Sequence, residues 1–576
     1  MKRRISLIVT VLLAAFVILG AQLVASAEDT PTFLNSSLDL SGGITLKMEC
    51  KVPNPTEGAY ARITLPNGTV DESQLLSDAE RNGDNYVFSV AIPAKDYAKD
   101  VKLCICDGDG NAILAQTTTS AKAYCEKYTE LYENGLFSNL ITALDKYAEA
   151  SEYYFDASLN YENATDTDLS SVADMAISGT LPEGVVHRSA TLLLESEITV
   201  RHYFEIADAE RLASLSFFVD INKNGSQEDG EALTVKEKNG VYYVDIENVS
   251  PTEISTPSML VVTDGASSYG CEYGALTYLK RVSAKTDSAD TKNLINSLYN
   301  YSLAADALTV NVSFVTNCDQ SLDSVSYKYG ATAALPSGLA KSGSVLVGWY
   351  ADEALTVRVN EMPSKPLDNL TLYAKWATAY IDEDFTDSTL NSNLQLNANG
   401  GTSALEFKDG VALFSSTGTD GGIRQGGGII RDAKPNAITV KVTFGRYNDG
   451  EALANLYSTA FQLQDSNKKL LNLFTTTTTN KVRSHGDVKL MEITDGELVT
   501  LIFTVDFVNS TITYYDGSYK MLLTETLNLP SGSAGTTMLE FRDAMRNNNA
   551  PRWYSTDSVG GTIVVDEFIV FEGGIV

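Results

Sequence analysis

The sequence predicts a mostly β, multidomain protein: a duplicated β-plus-αα-hairpin unit, a small strand-rich module and a C-terminal β-sandwich of jelly-roll type. Three observations carry this reading. The chain repeats itself at a period of about 155 residues. Residues 378–576 read as strands separated by Gly, Asn, Asp and Ser turns. And 576 residues are far too many for one hydrophobic core, which argues for several domains.

Residues 1–27 read as a signal peptide, with a basic start (Lys2, Arg3, Arg4), an apolar stretch, and Ala25-Ser26-Ala27 as a small-residue cleavage site just before Glu28-Asp29. The chain is therefore expected to be exported, to the extracellular space or the cell envelope. A membrane anchor is the rival reading of this segment; no later stretch approaches the roughly 20 apolar residues of a span. The formal net charge is −31, from 74 acidic and 43 basic residues, and cleavage would remove only basic ones. Such a surface repels nucleic acid and anionic lipid, and suits a solvated chain that meets free divalent cations. Six cysteines spread over this length form neither a disulfide scaffold nor a zinc-spaced set; Cys104 and Cys106 in KLCICD read as small core residues.

The first copy of the unit covers 28–155 and the second 172–309, joined by the polar linker DASLNYENATDTDLSS at 156–171. Each opens in strands: LDLSGGITLKMEC aligns with LLLESEITVRHYF, matching Ile44 to Ile198 and Leu46 to Val200, and KLCICDGDG aligns with MLVVTDGAS. Each closes in helices. SNLITALDKYAEASEYYF places Leu140, Ile141, Leu144, Tyr147 and Ala148 on one face, and KNLINSLYNYSLAADAL repeats this with Leu294, Ile295, Leu298, Tyr301 and Ser302. A shorter preceding helix carries Tyr124, Tyr128 and Leu131 in one copy, and Tyr278, Leu279 and Val282 in the other. These stripes are expected to be core.

The second copy holds DINKNGSQEDGE at 220–231, which fills every fixed position of the calcium-loop pattern: Asp220, Asn222, Asn224, Gly225 and Glu231. Calcium wants six to eight oxygens. Asp220, Asn222 and Asn224 supply side-chain oxygens, Ser226 its carbonyl and Glu231 a bidentate carboxylate, with Glu228 adding negative charge. The flanks LSFFV and ALTVKEK are β-like, so the loop resembles the Asp-Asn-Gly calcium loops of extracellular β-domains. A bare acidic hairpin turn is the alternative. The first copy has only LPNGTVDESQ at the corresponding place, so the fold does not itself require a metal there.

Residues 310–377 carry Val312-Ser313-Phe314, Tyr329-Gly330, Pro336, Gly348-Trp349-Tyr350 and a closing Leu372-Tyr373-Ala374-Lys375-Trp376. With these motifs the segment resembles the Listeria–Bacteroides repeat, or internalin B-repeat. That resemblance implies a small β-grasp-like module of secreted and surface proteins, a spacer or interaction unit without catalysis. Val347 departs from the aromatic residue usual before Gly-Trp-Tyr, and the module occurs once rather than in tandem. Trp349 and Trp376 are expected to form much of its small core.

Residues 378–576 read as strands throughout. The opening Glu383-Asp384-Phe385 and the closing Val-Val-Asp-Glu-Phe-Ile-Val-Phe resemble concanavalin-like (laminin-G-like) sandwiches, which implies glycan binding. The first and last strands are then expected side by side, bringing Glu383 or Asp384 near Asp566, either as a second structural calcium site or as solvated strand ends. Tyr447, Trp553 and Tyr554 are the candidate sugar platform, since aromatic faces stack on pyranose C–H surfaces and irregular loops carry ligand sites. A Trp553 that only anchors its loop is the alternative. The paired carboxylates of a sandwich glycosidase are missing, and His187, His202 and His485 fall in separate strands or loops without a catalytic motif or a Cys/His constellation beside them. The expectation is a monomeric, non-catalytic surface protein whose partner is a polysaccharide or surface glycan, or a protein. The runner-up is an accessory or truncated component of a polysaccharide-degrading enzyme.

Overall fold

The computed structural model describes residues 12–13, 30–159, 161, 166–220, 230–398, 403–416, 421–425, 429–446, 459–477, 481–494, 497–529, 536–546, 551–555 and 561–575. The signal-peptide reading of 1–27 therefore lies outside the described residues except at Leu12 and Leu13. The chain divides into two compact bodies. One holds residues up to Asn311 with Ser326–Thr332 and Pro363–Leu370; the other holds Val312–Val325, Ala333–Met362 and Thr371 onward. The module predicted at 310–377 is thus shared between them.

In the first body, copy one runs β1 (Thr32–Asp39), β2 (Ile44–Lys51), β3 (Tyr60–Thr64), β4 (Val70–Leu75), β5 (Glu80–Asn82), β6 (Asn85–Ile92), β7 (Val101–Cys106) and β8 (Ala112–Thr119), then α1 (Ala121–Leu131) and α2 (Ser138–Phe155). The strands form two sheets, ordered β1-β2-β6-β5 and β4-β3-β7-β8. Copy two runs β9 (Ala176–Gly179), β10 (Val185–Leu194), β11 (Ile198–Ile206), β12 (Ser216–Asp220), β13 (Glu231–Ala232), β14 (Lys236–Lys238), β15 (Val241–Ile246), β16 (Ser258–Thr263), β17 (Ser268–Tyr273), α3 (Ala275–Ser283) and α4 (Ala289–Asp306). Its sheets are β10-β11-β15-β14 and β13-β12-β16-β17, the latter extended by β9. The two copies share this strand order, with β9 as an addition to the second. The correspondence extends to an irregularity: the register slips between Phe33 and Asn35 in one copy and between His187 and Ser189 in the other.

The predicted helix faces are buried in both copies: Leu140, Ile141, Leu144 and Tyr147 in α2, and Leu294, Ile295, Leu298 and Tyr301 in α4. Ser120 and Ser288 start α1 and α4 as N-caps, each accepting a backbone N–H three residues on. Leu131 departs from the expected stripe: it is the last residue of α1 and is exposed. Equivalent residues of the copies meet one another. Tyr147 stacks on Tyr301 with ring centroids 5.5 Å apart, and Gly43 forms an antiparallel bridge with Glu197. A Cβ on Gly43 would lie 2.6 Å from the Ser196 carbonyl oxygen, so this approach requires glycine.

The second body is built on β18 (Ser344–Tyr350) and β19 (Leu370–Glu383), followed by β20 (Leu394–Ala398), β21 (Ser403–Lys408), β22 (Val411–Ser416), β23 (Gly421–Gln425), β24 (Ala437–Arg446), β25 (Thr459–Gln464), β26 (Leu470–Thr476), β27 (Lys481–Ser484), β28 (Lys489–Glu492), β29 (Leu498–Asp506), β30 (Thr511–Asp516), β31 (Met521–Thr526), β32 (Arg552–Ser555) and β33 (Gly561–Glu572). One sheet reads β19-β33-β24-β29-β30-β31, with β22 and β21 continuing from β33; the other reads β20-β23-β32-β25-β26-β27-β28. Between them Val440, Val442, Phe444, Phe461, Leu463 and Phe503 form part of one continuous core. The sandwich is therefore present, but its boundary with the module is not a linker. Strand β19 runs through residues 377 and 378, pairing with β18 from Tyr373 to Thr378 and with β33 from Ala379 to Glu383.

Candidate functional site

The two ends of the predicted calcium loop sit where the sequence places them. Val219 pairs with Glu231 and Phe218 with Ala232, so Asp220 and Glu231 flank the neck of a hairpin, and Asp220 is buried. Asn222, Asn224, Ser226 and Glu228 lie outside the described residues.

The expected sugar platform does not form at Trp553. Strand β32 lies inside its sheet, between β23 and β25, with Ile423 opposite Trp553 and Phe461 opposite it on the other side. All three point into the core, and Trp553 is 4% exposed. Its ring meets Phe444 edge-on at 5.1 Å and packs near Phe461 and Phe474, while its Nε1–H donates to Thr459 Oγ1 at 2.9 Å. An indole enclosed in this way has no face to offer a sugar; it anchors the strand. Tyr447 lies outside the described residues, as does the side chain of Tyr554.

The first and last strands of the sandwich do pair, with Glu383 opposite Phe568. Glu383 is buried and accepts the backbone N–H groups of Phe385 (2.8 Å) and Asn391 (2.5 Å), so it closes the turn after β19. Burial raises the carboxyl of Asp566, with Glu567 and Asp384 adding to the rise, while Lys441 pairs with Glu567 at 2.7 Å. Among the described residues these carboxylates do not converge as three ligand atoms of one ion.

A polar row lies on the face of the second sheet that points away from the core. Arg424 on β23 lies opposite Arg552 on β32, Arg552 opposite Gln462 on β25, and Gln462 opposite Asn472 on β26. The row is hydrogen-bonded in sequence: Arg552 Nε–H donates to Gln462 Oε1 at 2.7 Å, and Gln462 Nε2–H donates to Asn472 Oδ1 at 2.7 Å. Beside it Arg546 donates to Gln464 Oε1 at 3.2 Å. Gln462, Gln464 and Arg552 are buried, and the Nε–H of Arg424 has no hydrogen-bond partner among the described residues. Asn472 at one end of the row is exposed and Arg424 at the other is half-buried, so the guanidinium and amide groups there can donate to hydroxyl and carboxylate oxygens of a ligand. The signal for it in the sequence was the polar phase of two strands, Gln462 and Gln464 in FQLQ and Arg552 in RWY; attention to aromatic residues in loops passes it over.

The module half of this body is organised by its own tryptophans. Trp349 is buried and donates Nε1–H to the Pro336 carbonyl at 2.9 Å; Trp376 donates to the Thr316 carbonyl at 2.7 Å but remains partly exposed, so only one indole is core. Gly348 sits at φ 155°, where the pairing of β18 with β19 slips. Residues 311–375 match the family model of the Listeria-Bacteroides repeat domain. In this Listeria-Bacteroides repeat the departure at Val347 has a packing reason. Val345 and Val347 join Ile502, Tyr515, Phe571 and Ile575 in a cluster on the outer face of the first sandwich sheet. Tyr350 donates its hydroxyl to the Ile575 carbonyl at 2.5 Å, and the Arg358 guanidinium lies 3.6 Å from the Tyr519 ring centre.

A relative from Evansella cellulosilytica, described as a Gly-rich membrane protein, is 31% identical over 96 residues, or 17% of this chain. The match spans only 11% of that relative's length. Among the described residues no helix is long and apolar enough to cross a membrane. Similar solved structures include the carbohydrate esterase vb_24B_21 of the Shiga toxin-encoding bacteriophage phi24B, at 14% identity and TM-score 0.25, covering 34% of this chain and all of that one. Arcelin-5, a lectin-like defence protein of Phaseolus vulgaris, is 15% identical with TM-score 0.22, covering 32% and 94%. The CBM2 module of the evolved Dit protein of Lactobacillus casei BL23 phage J-1 is 11% identical with TM-score 0.22, covering 34% and 96%.

Proposed function

We propose that the protein is an exported, non-catalytic surface protein whose C-terminal sandwich binds glycan, with the Listeria-Bacteroides repeat as the rigid mount of that sandwich. The row Arg424–Arg552–Gln462–Asn472 carries this reading. Amides held by their neighbours are oriented before a ligand arrives, which lowers the ordering cost of binding. Two arginines in one row favour a polysaccharide that bears carboxylates, because a guanidinium donates two parallel hydrogen bonds to a carboxylate. Adhesion to such a polymer, with calcium held by the Asp220–Glu231 hairpin of the second copy, completes the proposal.

The test is binding of the full chain to a panel of neutral and uronate-bearing polysaccharides, with released reducing ends measured in parallel. Retention by acidic polymers, weakened about tenfold or more in Arg424→Ala and only partly restored in Arg424→Lys, supports the reading. Failure to bind any polymer above background overturns glycan recognition, and reducing ends released by the wild-type chain overturn the non-catalytic part.

A further inference from the structure

The two sandwiches of the first body share strand order and register, so chemistry present in only one of them is not required by the fold. Strand β10, at a sheet edge, carries His187, and β11 carries His202; β17 of the facing sheet carries Cys271 and Tyr269. His187 Nε2 and His202 Nδ1 are 3.2 Å apart, and His187 Nδ1 is 3.0 Å from the Tyr269 hydroxyl. Ligand atoms of His187, His202 and Cys271 all lie within 4.8 Å of one another. His202 and Cys271 are completely buried, and His202 Nε2 has no hydrogen-bond partner among the described residues.

The first copy solves the same packing problem without polar atoms. Where His187 faces Phe204 and His202 faces Ala190 across the β10–β11 slip, Phe33 faces Cys50 and Met48 faces Ser36 across the β1–β2 slip. Phe33 and Met48 therefore occupy the positions of the two histidines, and the sandwich closes around them. Burying an imidazole nitrogen without a partner costs about 1–3 kcal/mol, which an apolar pair avoids. The histidines are not there for the fold.

We propose that His187, His202 and Cys271 bind a thiophilic first-row transition-metal ion, with zinc(II) as the expected occupant. Two imidazoles and one sulfur, with no carboxylate among them, are a donor set that suits zinc and not calcium or magnesium. Zinc–nitrogen bonds of about 2.0–2.1 Å at a tetrahedral angle set two ligand nitrogens about 3.3 Å apart, close to the separation of His187 Nε2 and His202 Nδ1. Tyr269 fits the supporting role: a histidine that ligates through Nε2 donates its Nδ1–H to a neighbouring oxygen, which fixes its tautomer. His187, on the edge strand and only half-buried, provides the side from which an ion reaches the others.

The protons balance without any redox step. Burial holds His202 uncharged, pushed down to about 3 by desolvation and then by His187, so both imidazoles offer lone pairs at neutral pH. Burial raises the Cys271 thiol to about 11, and on binding the S–H bond gives way to a sulfur–metal bond with one proton released to solvent.

The experiment uses the full chain, stripped with a chelator and kept reduced. Zinc(II) is titrated in competition with a chromogenic chelator, and cobalt(II) serves as the spectroscopic probe. The expected result is one equivalent bound with a thiolate-to-cobalt charge-transfer band and the visible bands of a tetrahedral ion. In the double variant His187→Phe/His202→Met, which carries the first copy's residues, that equivalent should be lost while the chain stays folded. Cys271→Ser should abolish the charge-transfer band, and it decides the matter if the double variant fails to fold. A wild-type chain with no thiolate band, or stoichiometry and band unchanged in Cys271→Ser, overturns the proposal and assigns any bound ion to carboxylates elsewhere.

Discussion

Replacing Trp553 by alanine separates a core anchor from a ligand platform. The indole is 4% exposed and packs against Phe444, Phe461 and Phe474. Truncating such a side chain removes its transfer free energy and leaves a cavity, together worth about 3–5 kcal/mol. The lost Nε1–H bond adds little, because Thr459 Oγ1 still shares a hydrogen bond with Thr476 Oγ1 at 2.8 Å. About 4 kcal/mol on a sandwich of this size corresponds to a fall in Tm of roughly 8–16 °C. Calorimetry of the full chain, following the transition of the second body, measures it. Trp553→Phe keeps the ring contacts and should lose only a fraction of this. If Trp553→Ala melts within about 2 °C of the wild type and polysaccharide affinity falls instead, the ring works at the surface and the packing argument is wrong.

Gly43→Ala should destabilise the first body by about 1–3 kcal/mol, because its Cβ meets the backbone oxygen of Ser196 rather than a side chain that can swing away; denaturant unfolding of the full chain reads this, and an unchanged midpoint refutes it. Asp264 is held down at about 2 by the N–H of Ser267 first and by Arg211 second. Its folded value is below the unfolded value of about 3.9, so the stabilisation it gives is complete above about pH 4 and lost as pH falls toward 2. In Asp264→Asn the melting temperature should depend less on pH across that window; an identical acid limb in both proteins refutes the assignment. At millimolar calcium and a dissociation constant near 10⁻⁴ M, the first body should gain about 1.4 kcal/mol over the chelated protein, and Glu231→Gln should reduce the gain. Equal melting in both buffers leaves the 220–231 segment a hairpin turn.

What the sequence displays well is anything carried by neighbours in the chain. The αα-hairpins show through the spacing of Leu140, Leu144 and Tyr147, and the duplication through Ile44 and Ile198, all of which are buried. The 220–231 hairpin is legible because its two strands adjoin it. What it hides depends on register between distant strands. Trp553 looks like a loop residue until Ile423 and Phe461 are seen on either side of it, which fixes its parity. The Arg424–Arg552–Gln462–Asn472 row draws on four strands and becomes visible only when the sheet is assembled. His187 and His202 are brought together by a hairpin whose pairing slips by one residue, and Cys271 comes from another sheet altogether. No spacing rule for metal ligands anticipates that.

The meeting of Tyr147 with Tyr301, and of Gly43 with Glu197, joins each copy to its counterpart through the same residues. That is the geometry of a two-fold symmetric homodimer, held here within one polypeptide. In a homodimer every substitution appears twice, so a glycine at the axis forces a glycine on the partner, and a metal-binding pair comes as two pairs. A tandem duplicate is released from this. Gly43 stands against Glu197, Met48 is apolar while its counterpart is His202, and the short turn LPNGT between β3 and β4 has DINKNGSQEDGE as its counterpart. Covalent linkage lets the two halves keep one shape while their side chains diverge.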